Sequence, residues 1–131
     1  MSAFIPSHRT SLRLATAFTC CAILLSLSTR GRLMLHTMGA LHIWYHLALF
    51  IILGVLAVRS SAKPAVRCCL LLCAALLGLG IESLEAFRYR IPLEWYDVRT
   101  DIAGVAIGAI LGWLLSRRAN KQRRSPQKLS S

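Results

Sequence analysis

The sequence predicts an all-α fold: an integral membrane bundle of four transmembrane helices with both termini cytoplasmic. Three observations predict it. Of 131 residues, 56% are hydrophobic, and the mean hydropathy is +0.57, which is too oily for an ordinary soluble domain. The apolar residues gather into four runs near the roughly 20 residues that a helix needs to cross a hydrocarbon core of about 30 Å. The formal charge of +11 comes from 16 Lys and Arg against 5 acids. In a soluble chain that excess would suggest nucleic acid. Here the bases sit between apolar runs, so the partners expected are membrane lipids and no nucleic acid.

The first span is expected over residues 12–28 ("LRLATAFTCCAILLSLS") and the second over 39–58 ("GALHIWYHLALFIILGVLAV"). The third is expected over 66–87 and the fourth over 101–116. With the N-terminus inside, the cytoplasmic segments carry Arg9, Arg13, Arg59, Lys63 and Arg67, and then a run from Arg117 to Lys128. The outer loops keep Arg30, Arg32, Arg88, Arg90 and Arg99. That imbalance sets the orientation. A folded domain is therefore expected over 1–116, with 117–131 as a basic, disordered cytoplasmic tail. In the competing reading of the start, Arg9 and Arg13 head a cleavable signal peptide ending near Ser26-x-Ser28, which leaves three spans in the same orientation.

Charge inside the spans is the informative feature. Span three is uncharged only from Cys68 to Ile81, too short for the hydrocarbon core at about 1.5 Å per residue. Glu82 and Glu85 must then lie near lipid. Acids at such a depth are costly and usually face protein or a wet cavity. In span four, Asp97, Asp101, Gly104 and Gly108 fall at i, i+4, i+7 and i+11, one face of a helix that begins early enough. Gly104, Gly108 and Gly112 form overlapping G-x-x-x-G units, which let a second helix approach closely. In span two, His42 and His46 share a face near the end predicted to lie outside. Three polar pairs thus converge on one end of the bundle, below Arg88, Arg90 and Arg99.

The segments "HIWYHLALFIILG" and "IESLEAFRYRIPLEWYDVRTDIAGVAIGAILGWLL" resemble the VanZ-like family of small bacterial membrane proteins. That family's pattern runs roughly D-K-x-x-H-F, then I-E-x-x-Q-x-F, then R and D-x-x-x-N-x-x-G-x-x-x-G. Position by position, the resemblance implies that the family histidine is His46, the glutamate Glu82, the aspartate Asp97, the glycines Gly104 and Gly108, and the arginine Arg88 or Arg90. His42 stands where the family has aspartate, Glu85 where it has glutamine and Asp101 where it has asparagine. The resemblance covers residues 39–115. It implies a multi-pass protein of the bacterial cytoplasmic (inner) membrane, linked with glycopeptide (teicoplanin) resistance and hence with envelope lipids or a lipid-linked cell-wall precursor.

The ligand-binding residues expected are His46, Glu82, Glu85, Arg88, Arg90, Asp97 and Asp101, with Gly104, Gly108 and Gly112 for helix packing. The bland roles compete with these. The histidines would sit in an aromatic belt beside Trp44 and Tyr45, Asp101 would cap a helix, and the acids would solvate a loop. Cys20, Cys21, Cys68, Cys69 and Cys73 lie within spans without C-x-x-C spacing, and are expected to act as small apolar residues. No cofactor and no resident metal is expected, since H-x-x-x-H alone is a weak metal signal and H-E-x-x-H is absent. No nucleophile motif is legible, so binding is favoured over catalysis. Two other classes stay open: a small membrane enzyme acting on lipid-linked phosphate, and a structural or partner-binding protein.

Overall fold

The computed structural model describes residues 8–28 and 40–124, except for the side chains at 25–27, 40–41 and 119–124. Those residues form four helices: α1 His8–Leu27, α2 Ala40–Arg59, α3 Pro64–Tyr89 and α4 Trp95–Arg124. Three of them, over His42–Arg59, Pro64–Tyr89 and Trp95–Arg118, are long and apolar enough to cross a membrane. The first predicted outer loop, with Arg30 and Arg32, and the tail beyond Arg124 lie outside the described residues.

Each boundary has a local cause. α1 is tied to the end of α2 by His8, whose Nδ1 lies 2.6 Å from the Arg59 carbonyl oxygen, one of the orphan acceptors of that helix end. The α2–α3 turn is short. Ser60 Oγ donates to Leu56 O at 2.7 Å, Arg67 Nε donates to Ser61 O at 2.7 Å, and Pro64 opens α3, where its missing N–H costs nothing. α3 ends at Arg90, a non-glycine residue in the left-handed region with φ 55° and ψ 44°, and the Ile91 N–H returns to Ala86 O at 3.2 Å. This is the αL helix stop that usually employs glycine.

α4 is longer at both ends than the 101–116 span that hydropathy predicts. At its start, Glu94 O accepts from the N–H groups of Asp97 and Val98 at 3.0 and 3.4 Å, and Asp97 in the first turn meets the positive end of the helix dipole. At its end the helix runs through Arg124, so residues 117–124 of the expected disordered tail are helical. Arg, Lys, Gln and Ala are all good helix formers. The Arg117 guanidinium also lies 3.7 Å from the Trp113 ring centroid, one turn back, a cation–π contact worth roughly 0.5–1 kcal/mol at an exposed site.

α2 and α4 make the most extensive contact in the molecule, and glycine is the reason. A Cβ on Gly108 would collide with the Ile51 carbonyl, and one on Gly54 would stand 2.6 Å from Val105 O. A Cβ on Gly104 would stand 2.8 Å from Phe50 Cβ, and one on Gly112 would stand 3.1 Å from Val58 Cβ. The G-x-x-x-G stripe predicted on α4 therefore packs on α2, which contributes Gly54. Above and below it lie Phe50, Leu53 and Val105, which join Ala22, Ala74 and Ile81 in the buried core. α3 turns Ala74, Gly78, Ile81 and Glu82 inward. Its other faces leave Leu72, Leu76 and Phe87 exposed, as lipid-facing helices do. The five cysteines are free and exposed on helix surfaces.

Candidate functional site

The buried polar side chains gather at one end of this scaffold. Asp101 is wholly buried, and His46, Glu82 and Asp97 are buried beside it. His46 Nδ1 lies 2.9 Å from Asp101 Oδ1 across the α2–α4 interface. One turn nearer the end of the bundle, His42 Nδ1 lies 3.6 Å from Asp97 Oδ2, an ion-pair contact too long for a hydrogen bond. The two imidazoles stack edge to face with centroids 4.6 Å apart. The i, i+4 pairs of α2 and α4 thus face each other rung by rung, because glycines one turn deeper hold the two helices close.

The Asp101–His46 contact fixes more than distance. A carboxylate can only accept, so against an ionised Asp101 the Nδ1 of His46 donates, and in the neutral tautomer that this contact selects Nε2 is the unprotonated nitrogen. Tyr45 packs edge-on against the same imidazole at 6.1 Å between centroids, which restricts the ring's rotation. Asp101 itself is held from the other side by α3. A Cβ on Gly78 would stand 2.6 Å from Asp101 Oδ2 and 2.8 Å from Asp101 Cβ, so only glycine admits the carboxylate there. Asp101 Oδ2 has no hydrogen-bond partner among the described residues.

Glu82, one turn beyond Gly78 on α3, is buried and interacts electrostatically with Asp97, His46 and Glu85. Glu85 is half-buried at the edge of the group. Three helices therefore contribute to one cluster. Arg88, Arg90 and Arg99 are exposed, and both ion pairs of the cluster are His–Asp pairs. The structure thus brings together His46, Glu82, Asp97 and Asp101 from the expected set, with Glu85 at the edge and Arg88 and Arg90 outside it. Two contributors were not among the expected site residues: His42, which meets Asp97, and Gly78, whose lack of a side chain makes room for Asp101.

A single substitution checks this geometry. Gly78→Ala is expected to displace Asp101 and break its bond to His46, lowering the unfolding temperature in detergent by several degrees. Asp101→Ala in the same chain should restore part of the loss, a non-additive result expected only of residues in contact. Equal and additive shifts would refute the contact.

The cluster is separate from a cavity of about 370 Å³ between α1, α2 and α3. That cavity is lined by apolar residues such as Leu12, Ala15, Leu53, Leu70 and Leu77, and no residue of the polar cluster borders it.

Three helices long and apolar enough to cross a bilayer close around buried acids and a buried histidine, the features of a membrane-type helical bundle with a polar interior cluster. No family model, no curated protein and no solved structure matches it.

Proposed function

We propose that the chain is a VanZ-like, four-span protein of the bacterial cytoplasmic (inner) membrane with both termini cytoplasmic, and that its polar cluster receives the head group of an envelope lipid or a lipid-linked cell-wall precursor near the extracytoplasmic face. The observation that carries the reading is the convergence of His46, Glu82, Asp97 and Asp101, from three separate helices, in the interior of an otherwise apolar bundle. Burying ionisable groups in a membrane costs several kcal/mol in sum. A chain that needed only stability would fill the same volume with apolar residues at no such cost.

Depth and polarity give the site its direction. Trp44, Trp95 and Tyr96, beside the cluster in sequence, are exposed, and such side chains favour the membrane–water interface. The Lys and Arg balance puts this end outside. Acids and neutral imidazole accept hydrogen bonds, so the interior suits the hydroxyl or ammonium part of a head group. The exposed Arg88 and Arg90 would meet its phosphate at the surface, where the arginine fork matches two phosphate oxygens. The link with glycopeptide resistance follows from the VanZ-like resemblance alone.

The lipids that copurify with the wild-type chain and with Glu82→Gln provide the test. A species enriched on the wild type and depleted at least several-fold on Glu82→Gln is the expected result, and matching profiles would refute the reading. Arg88 and Arg90 can be separated in the same assay. Arg90→Gly relieves a left-handed backbone and is expected to raise stability by about 1 kcal/mol. If Arg90 is the phosphate contact, lipid retention falls as stability rises, and Arg88→Gly leaves it unchanged.

A further inference from the structure

We infer that His42, His46 and Asp97 hold a divalent transition-metal ion of the zinc class. One ligand atom from each of the three lies within 4.8 Å of the others. The set combines two imidazole nitrogens with one carboxylate oxygen, the donors that zinc and its neighbours take. The inference rests on the proposed polar cluster and names an ion for it.

The cluster has the second layer of contacts that a metal-binding histidine uses. Asp101 Oδ1, 2.9 Å from His46 Nδ1, would accept that N–H and leave Nε2 as the nitrogen free to ligate. A carboxylate–histidine–metal relay has this form, and removing its outer carboxylate commonly weakens metal binding 10–100-fold. His42 is the adjustable ligand. Its side chain is 21% exposed against 5% for that of Asp97, so it can swing without unpacking the bundle. Ligands about 2.0–2.1 Å from a tetrahedral ion stand about 3.3 Å from one another, so closing the 4.8 Å spread takes an inward movement of about 1.5 Å.

Charge supplies an independent reason. Asp97 is buried, and among the described residues its one ion-pair partner is His42 at 3.6 Å. Asp101 keeps one wholly buried oxygen unpartnered, and Glu82 adds a third acid to the group. Buried carboxylates are normally paired or metal-bound, yet among the described residues the arginines near this end, Arg88, Arg90 and Arg99, are exposed. A divalent ion would balance the surplus. Three protein ligands leave one position for water or a head-group oxygen, the pattern of zinc sites that exchange a ligand. A head-group hydroxyl oxygen would take that position, with the phosphate left to the exposed arginines.

The full chain in detergent, stripped with a chelator, delipidated and then exposed to zinc alone, gives a direct test. After desalting, one zinc per chain is expected. Retention should fall at least tenfold in His42→Ala and in Asp97→Asn, while Cys73→Ser and His8→Ala keep it. Cobalt in place of zinc should give d–d absorption bands without thiolate charge transfer. Asp101→Asn should weaken zinc binding without abolishing it. His42→Ala truncates a partly exposed side chain, and its folding is checked by gel filtration. No zinc on the wild-type chain would overturn the inference, as would wild-type retention by His42→Ala and Asp97→Asn. Because lipid is absent from this measurement, zinc binding without Glu82-dependent lipid retention supports the ion and refutes the head-group reading. The reverse pattern refutes the ion alone.

Discussion

Gly108→Leu is expected to abolish the folded bundle, and even Gly108→Ala should lower its stability by several kcal/mol. The Cβ that alanine adds is directed at the Ile51 carbonyl of α2, and behind that lies the Gly54 Cα, 3.0 Å away. Both are backbone atoms, so no rotamer change relieves the overlap. Small-to-large changes in a packed core usually cost about 1–3 kcal/mol when side chains can yield. Here α2 and α4 must separate along their length, losing the contacts of Phe50 and Val105 and the His46–Asp101 bond in one step. Membrane levels and thermal unfolding in detergent read the outcome. Gly80→Ala is the control, because a Cβ there meets nothing within 4 Å. A Gly108→Ala protein as stable as that control would contradict the close approach of the two helices.

Asp101→Leu is expected to destabilise the chain by about 1–3 kcal/mol, the cost of stranding a buried donor. The donor is His46 Nδ1, buried with its ring and matched only by Asp101 Oδ1. Leucine also brings branched bulk against the Gly78 backbone, where the flat carboxylate now fits. Asp101→Asn should be far milder, because the amide oxygen still accepts from Nδ1. The cycle of His46→Ala, Asp101→Ala and their double mutant isolates the pair. The double mutant should be less destabilised than the sum of the singles by about 0.5–3 kcal/mol. Additive losses would mean that the 2.9 Å contact contributes nothing to the fold.

Much of this arrangement was legible before folding was considered. The limits of α2 and α3 lie within two residues of the spans read from hydropathy. The Asp97–Asp101–Gly104–Gly108 stripe is a continuous buried face, as its spacing predicts once the helix begins early. The early start was the uncertain part, since hydropathy registers the loss of apolar residues at Arg99 and Asp101 and is blind to the Glu94 carbonyl that opens the helix. The same blindness hid the helical stretch from Arg117 to Arg124.

The pairing was not legible. That His42 meets Asp97 and His46 meets Asp101 depends on the relative rotation and shift of α2 against α4, which van der Waals contact at the glycines sets. Gly78 and Gly80 show the limit most plainly. They are two residues apart on one apolar helix, yet a Cβ on the first would strike Asp101 and a Cβ on the second would meet nothing. Nothing in the local sequence distinguishes them.

The sequence by itself determined a helical chain apolar enough to cross a membrane and carrying acids and histidines within its apolar helices, because hydropathy, helical period and charge are properties of each segment alone. Tertiary structure decided which of those groups touch, that Arg88, Arg90 and Arg99 stand outside them, and that His46 turns Nδ1 to Asp101. Those outcomes depend on how closely backbones can approach and on which face each helix turns inward. Both are fixed only when the helices pack.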